Sequence, residues 1–215
     1  MGEPEGTRAA VDDEWPADPA TALRLLVEGN ERFITGRRRH PHQDADRRAA
    51  LAPAQRPFAV LFGCADSRLA AEIIFDQGLG DLFVVRTAGH VVGPEVLGSI
   101  EYGVAVLDAP LVVVLGHDSC GAIGAALDSI RSGSVPGGYL RDVVERVVPA
   151  LVGVRDEALA DPDLALREHI RYTVDMLAQR SVVIAQQLAE GRLGIAGLAY
   201  RLGEGSVRQV AGRGV

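Results

Sequence analysis

Two short motifs in the sequence carry the side chains best suited to chemistry. Residues 63–68 read GCADSR, and residues 116–121 read GHDSCG. Together they supply two thiols, from Cys64 and Cys120, and one imidazole, from His117. Two thiolates and one imidazole are a ligand set for zinc, and three protein ligands leave the fourth tetrahedral position for water, a carboxylate or a substrate. The motifs therefore predict a zinc site with one open position.

The apolar runs that precede the two motifs would bring these ligands together. Residues 57–62 (PFAVLF) and 111–115 (LVVVL) have the length and composition of buried strands. If these strands are parallel neighbours, their carboxyl ends meet at the edge where open α/β sheets bind ligands. Asp66 and Arg68 would then lie beside the three ligands.

Other interpretations of the same residues stay open at this point. Cys64 and Cys120 could be buried free thiols, a single disulfide or a redox switch. Their position argues against simple packing, because each cysteine follows an apolar run in a polar segment flanked by glycine. Without further information, Asp66 and Arg68 would be interpreted as a structural ion pair.

Composition limits the classes of protein to which the chain can belong. Its 215 residues suffice for one domain with a hydrophobic core. A net charge of −7 gives no basic footprint for nucleic acid or for an anionic membrane surface. No apolar run approaches the ~20 residues of a membrane span, and the acidic N-terminus does not resemble a signal peptide. With only two cysteines, we expect a cytoplasmic protein.

Strands that alternate with helices predict an α/β fold with a mainly parallel central sheet, flanked by helices and preceded by a helical N-terminal arm. We expect residues 1–17 to form a flexible arm, residues 18–215 a single domain, and residues 211–215 a frayed tail. The predicted parallel strands are 57–62, 81–86, 111–115 and 193–202, with 206–210 as an antiparallel edge strand. The predicted helices are 18–36, 46–52, 69–75, 95–107, 122–130, 139–154 and 164–188.

The two motifs together resemble the paired signature of β-class carbonic anhydrases. Residues 83–89 (FVVRTAG) and 100–102 (IEY) are also similar to that family. The resemblance extends over residues 22–202 and is strongest over 55–121. It implies a zinc enzyme, with one Zn²⁺ per subunit, that reversibly hydrates CO2 to bicarbonate and a proton through zinc-bound hydroxide.

The resemblance also implies a role for each residue of the two motifs. Cys64, His117 and Cys120 match the zinc ligands of the family. Asp66 matches a catalytic carboxylate that accepts a hydrogen bond from the zinc-bound water. Arg68 matches the arginine that holds this carboxylate away from the metal. In a closed resting state, which some members adopt, Asp66 becomes the fourth ligand.

Further matches concern substrate binding and assembly. Gln55 matches a residue that binds substrate across a subunit interface, and the backbone amide of Gly121 matches a donor to a substrate oxygen. Phe83, Ala88 and Tyr102 match residues that line a small apolar CO2 pocket, and Ala88 is smaller than the valine of some relatives. A homodimer is therefore expected, and the family also forms homotetramers through edge strands.

Three residues near the motifs have weaker assignments. Ser67 is expected to cap the following helix or to hydrogen-bond a ligand thiolate as part of the second shell. His90 is expected to be a solvent-facing loop histidine, with a proton shuttle as the alternative. His169 is expected to be an ordinary surface or packing residue of a long helix.

Two alternative functions remain compatible with the residues. The first is hydrolysis of carbonyl sulfide or carbon disulfide, which relatives on the same scaffold perform and which would depend on the width of the pocket. The second is a non-catalytic zinc-binding or anion-binding protein. The presence of Gln55, Asp66 and Arg68 argues against this second function.

Overall fold

A computed structural model of the chain describes residues 15–215. The predicted flexible arm, residues 1–17, lies almost wholly outside the described residues. Within the described part, the ring of Trp15 packs edge-on against Phe58, with ring centroids 5.6 Å apart. The division into an arm and a single domain over residues 18–215 stays a prediction.

The centre of the molecule is a five-stranded sheet in the order β2-β1-β3-β4-β5. The first four strands of this order are parallel, and β5 pairs antiparallel with β4. This arrangement confirms the predicted α/β class, the parallel sheet and the antiparallel edge strand. The strands are β1 (Ala59–Cys64), β2 (Leu82–Thr87), β3 (Leu111–His117), β4 (Gly194–Tyr200) and β5 (Val207–Arg213).

Burial along the strands explains why the sequence forms a parallel sheet. Every residue of β1, β3 and β4 is buried. Strands of a parallel sheet that is covered on both faces have such continuous apolar sequences. The two outer strands, β2 and β5, are only partly buried, since each has a neighbour on one side.

Helices cover both faces of this sheet. The strand β4 shows the two faces, because a Cβ at Gly194 would meet Pro19 while one at Gly197 would meet Ile170. Residues three apart on a strand point to opposite faces. The helices are α1 (Pro19–Ile34), α2 (Ala45–Ala50), α3 (Ala71–Ile74), α4 (Pro94–Ala105), α5 (Gly121–Ser132), α6 (Leu140–Val147), α7 (Arg155–Ala160), α8 (Pro162–Arg180) and α9 (Val182–Ala189), with 3₁₀ turns at Ala88–His90 and Val148–Val154.

The first helix begins where the sequence indicates. The Asp18 side chain accepts a hydrogen bond from the backbone N–H of Thr21 at 2.8 Å, and Pro19 is the first helical residue. An aspartate cap followed by proline is a typical helix start, because it satisfies a free N–H and presets the backbone angle φ.

The prediction of one continuous helix over residues 164–188 is wrong. The chain leaves helical geometry at Ser181, where φ is −102° and ψ is 115°, and it resumes as α9. The Ser181 hydroxyl donates to Glu101 of α4 at 2.6 Å and accepts from the backbone N–H of Ile184 at 3.0 Å. A side chain 80 positions away therefore stabilises this break.

The ends of several other elements also differ from the predictions. Residues 139–154 are not one helix, because α6 ends at Val147 and a 3₁₀ turn that contains Pro149 follows. The helix predicted at 69–75 is shorter and spans Ala71–Ile74. The tail is not frayed over 211–213, because β5 continues to Arg213, which pairs with Ile195 beyond a bulge.

Among residues 15–215, no helix is both long enough and apolar enough to span a bilayer.

Candidate metal centre

The three predicted ligands converge at the carboxyl ends of β1 and β3. These strands are parallel neighbours, with Gly63 opposite Leu115. The strands extend further than predicted, so that Cys64 is the last residue of β1 and His117 is the last of β3. Cys120 immediately precedes α5. The ligand atoms of these three buried residues lie within 4.8 Å of one another, as a metal site requires.

The orientation of His117 favours a metal ligand. Its Nδ1 lies 2.8 Å from the carbonyl oxygen of Asp118, and a carbonyl only accepts, so Nδ1 carries the proton. The other nitrogen, Nε2, is buried without a hydrogen-bond partner among the described residues. A buried lone pair without a partner is costly, and a cation at this position would satisfy it. The residues present therefore fit a zinc ion.

Each of the two thiols shifts the pKa of the other. A hydrogen bond from Cys120 lowers the pKa of Cys64 to about 4, with further contributions from His117 and from the Gly89 backbone, against the opposing effect of burial. The neighbouring Cys64 thiolate and burial raise the pKa of Cys120. A divalent cation would deprotonate both thiols, because metal-bound cysteines are thiolates.

Asp66 lies beside the three ligands and forms a bidentate ion pair with Arg68. The guanidinium donates from Nε to Oδ1 at 2.9 Å and from a terminal nitrogen to Oδ2 at 2.7 Å. These bonds hold the pKa of the Asp66 carboxyl well below its usual range. The Oδ2 atom is 3.8 Å from Nε2 of His117. The carboxylate is therefore ionised, close to the candidate metal position, and restrained by the arginine.

A second arginine, which the sequence reasoning did not place in the site, holds the backbone of the first motif. Arg86 donates to the carbonyl oxygen of Cys64 at 2.9 Å and to that of Asp66 at 2.6 Å. Arg86 lies opposite Gly63 in the pairing of β1 with β2. The sequence analysis predicted only the pairing of the strands before the two motifs, so this contact, which depends on the pairing of β1 with β2, was missed.

Gly89 donates a backbone hydrogen bond directly to a candidate ligand. Its N–H lies 3.3 Å from the sulfur of Cys64. The residue has φ of +63°, a conformation that favours glycine, and an added Cβ would lie 2.6 Å from Cβ of Ala122. A glycine is therefore needed here both for the backbone angle and for the close contact with α5.

The predicted substrate residues divide into two groups. Gly121 and Ala88 lie at the metal centre, next to Cys120 and Gly89 respectively. The others, Phe83, Tyr102 and Gln55, lie towards the amino end of β1. Phe83 pairs with Val60 and contacts Tyr102, with ring centroids 6.0 Å apart. The four residue-to-residue steps from Val60 to Cys64 correspond to about 13 Å along the strand, beyond the reach of a side chain.

Ser67 does not cap the helix that follows it, and this prediction is wrong. The helix α3 begins at Ala71, and Ala70 occupies the cap position without a side-chain hydrogen bond. Ser67 is exposed, and its hydroxyl makes no hydrogen bond with any described residue. The structure therefore shows no contact between Ser67 and either thiol.

Two histidines near the site, His90 and His169, are both buried. The prediction that His90 faces solvent is wrong, because this residue is 0% exposed. Its ring centroid lies 4.3 Å from that of His169, which is 2% exposed and contacts the carbonyl oxygen of Gly89 through Nε2 at 2.8 Å. Burial lowers the pKa of His90 well below its usual value and that of His169 to about 4, so both rings are neutral.

Known proteins share both the sequence and the fold. The sequence pattern of the family described as "Carbonic anhydrase" matches residues 59–207. Carbonic anhydrase 2 of Mycobacterium tuberculosis is 57% identical over 188 residues, which cover 87% of this chain and 91% of the relative. The carbonic anhydrase of Mycolicibacterium smegmatis is 54% identical over 191 residues, which cover 89% and 93% of the two chains.

A solved structure extends the similarity to the β class. The β-carbonic anhydrase CafA of Aspergillus fumigatus superposes with a TM-score of 0.67 and 26% identity, covering 89% of this chain and 91% of that one. The matching family, the identity to the mycobacterial enzymes and this shared fold agree. The chain belongs to the β-carbonic anhydrase family.

Proposed function

We propose that the chain hydrates CO2 reversibly to bicarbonate and a proton, with one zinc ion per subunit held by Cys64, His117 and Cys120. The observation that carries this proposal is the convergence of two thiols and an unpartnered imidazole nitrogen within 4.8 Å. Bound zinc supplies Lewis acidity that makes a water molecule acidic enough to attack CO2 near neutral pH. With three protein ligands, a fourth ligand position would remain open for this chemistry.

Asp66 and Arg68 prepare this position for the reaction. Asp66 is ionised and lies within 4 Å of the ligand nitrogen of His117, so it can accept a hydrogen bond from the attacking water and orient its lone pair. Arg68 occupies both oxygens of Asp66 and thereby keeps the carboxylate from the metal. In a closed state, Asp66 would leave Arg68 and become the fourth ligand.

Gly121 supplies a donor for the substrate. It is the first residue of α5, and the first N–H groups of a helix have no partner within the helix. An N–H in this position, next to Cys120, can stabilise the negative charge that develops on a CO2 oxygen. Ala88, adjacent to Gly89, contributes to the apolar wall on the same side.

A second copy of the chain is proposed to complete the site. Phe83 and Tyr102 contact each other beside β2, and Tyr102 is 46% exposed. Gln55 is also exposed. In a two-fold dimer joined along this edge, these residues would meet the partner's metal centre, since a symmetric interface presents the same surface twice. Contact between β5 strands of two such dimers would give a homotetramer.

We propose a cytoplasmic location, because both cysteines are free thiols and serve the metal site in this account. Reduced thiols of this kind persist in a reducing compartment. No nucleic-acid partner or membrane partner is proposed for this acidic chain.

Metal analysis combined with stopped-flow CO2 hydration tests the proposed activity. We expect about one zinc per subunit, hydration that is lost when a chelator removes the metal, and recovery when zinc is restored. Carbonyl sulfide serves as the competing substrate in the same assay. A metal-free protein that retains the full rate would contradict the proposal, and so would hydrolysis of carbonyl sulfide without hydration of CO2.

The substitution Arg68→Ala tests the control of Asp66. We expect the variant to retain its zinc but to lose about 100-fold in kcat/KM, because the carboxylate is free to take the fourth position. The matched control is Arg131→Ala, which removes a similar exposed ion pair, to Asp128 at 2.7 Å on α5. Full hydration activity in a zinc-loaded Arg68→Ala protein would disprove the proposed role.

Mixed dimers test whether Gln55 acts across the interface. One subunit carries Gln55→Ala and the other Cys120→Ser, with two different affinity tags that allow the heterodimer to be purified. If Gln55 serves the partner's site, the heterodimer has one intact site and about half of the wild-type rate, whereas both parent homodimers are impaired. A heterodimer no more active than the parents would show that Gln55 acts within its own subunit or has no role.

A further inference from the structure

The helix α8 is connected to the candidate metal centre by two hydrogen bonds. His169 of α8 contacts Gly89, and Gly89 contacts the sulfur of Cys64. We propose that His169 is a positioning residue for the Cys64 ligand, because it holds Gly89 so that the glycine N–H stays on the cysteine sulfur. This inference rests on the proposed zinc centre, and it assigns a function to a buried histidine that the reaction itself does not use.

The first contact fixes the proton on the imidazole. Nε2 of His169 lies 2.8 Å from the carbonyl oxygen of Gly89, and a carbonyl oxygen can only accept. The imidazole must therefore carry its proton on Nε2. Because His169 is only 2% exposed, the protein shields this bond from bulk solvent. The contact joins residues 80 positions apart in the chain.

The second contact joins Gly89 to the candidate metal ligand Cys64. The N–H of Gly89 donates to the sulfur of Cys64 at 3.3 Å. Gly89 also packs closely against Ala122 of α5, because an added Cβ would lie only 2.6 Å from the Cβ of Ala122. Gly89 is thus held by His169, by the Ala122 contact and by the sulfur. Loss of the first of these would allow the donor to turn away from the thiolate.

The second histidine supports the first by packing. His90 is 0% exposed and lies 4.3 Å from His169 between ring centroids, with the planes tilted by 35°. It also contacts Phe62 of β1 edge-on, at 6.3 Å between ring centroids. Neither ring nitrogen of His90 has a hydrogen-bond partner among the described residues. His90 therefore packs against the His169 ring and forms no side-chain hydrogen bond with a described residue.

A role in core packing alone would make a different prediction from a role in positioning. If His169 only fills space, any uncharged side chain of similar volume would serve. If it acts through its donor, a residue that presents an N–H at the same distance would serve and one without a donor would not. Glutamine and methionine are matched in length and flexibility but differ in the donor.

The experiment measures the release of zinc from the loaded enzyme into excess chromogenic chelator. We expect His169→Met to release zinc about 10-fold faster than the wild type, the lower end of the effects of outer-shell partners. His169→Gln should release it within about 2-fold of the wild-type rate. The control Thr173→Val is a buried change on the same helix, where the Thr173 hydroxyl donates to the His169 backbone at 2.8 Å and does not contact Gly89. It should leave the release rate unchanged.

Different outcomes would contradict the positioning role of His169 and the zinc centre itself. Equal release rates from the methionine and glutamine variants would overturn the positioning role while leaving the zinc centre intact. Equal acceleration by Thr173→Val would also overturn it, since any disturbance of the helix would then suffice. A wild-type protein that binds no zinc would overturn the centre itself.

A measurement on the unaltered enzyme keeps the proposal testable if the methionine variant does not fold. The chain has five histidines, so ¹⁵N labelling of histidine gives a small set of ring signals. We expect the His169 ring to be neutral, with its proton on Nε2. Protonation on Nδ1 instead would contradict the hydrogen bond on which the proposal depends.

Discussion

The parallel pairing of β1 with β3 is the constraint on which the rest of the site depends. Because Gly63 lies opposite Leu115, the two strands end at nearly the same level, and their last residues, Cys64 and His117, face the same space. Cys120 then enters from the start of α5. The ligand atoms of these three buried residues lie within 4.8 Å of one another, which is an arrangement that a shared cation would stabilise.

Backbone and charged groups around the three ligands hold the first motif in place by hydrogen bonds. Arg86 donates to the carbonyl oxygens of Cys64 and Asp66 within the first motif, and Gly89 donates to the Cys64 sulfur. Arg68 holds both oxygens of the Asp66 carboxylate, which lies beside the three ligands. The arginines bind backbone oxygens and the Asp66 side chain, and Gly89 uses one lone pair of the Cys64 sulfur, so each ligand atom keeps a lone pair for the metal. In the proposed centre, access to the fourth position therefore depends on the ion pair between Asp66 and Arg68.

The sequence was sufficient to predict the sheet, its antiparallel edge and the meeting of the two motifs, because strand composition and glycine-flanked polar residues are local signals. It was not sufficient where contacts with residues distant in the sequence determine the local structure. The break at Ser181 depends on Glu101 of another helix, and the burial of His90 depends on the packing of α8. Arg86 and Gly89 were missed as supports of the site for the same reason, since each contacts Cys64 from more than twenty positions away, Arg86 at its carbonyl oxygen and Gly89 at its sulfur.

The central claim is that Cys64, His117 and Cys120 hold one zinc ion with a fourth ligand of a different kind. Zinc K-edge X-ray absorption on the purified enzyme measures this directly. The account predicts two sulfur neighbours at about 2.3 Å and two nitrogen or oxygen neighbours at about 2.0–2.2 Å. A first shell of four sulfurs, or one with no sulfur, would contradict the proposed centre and with it the mechanism built on its open position.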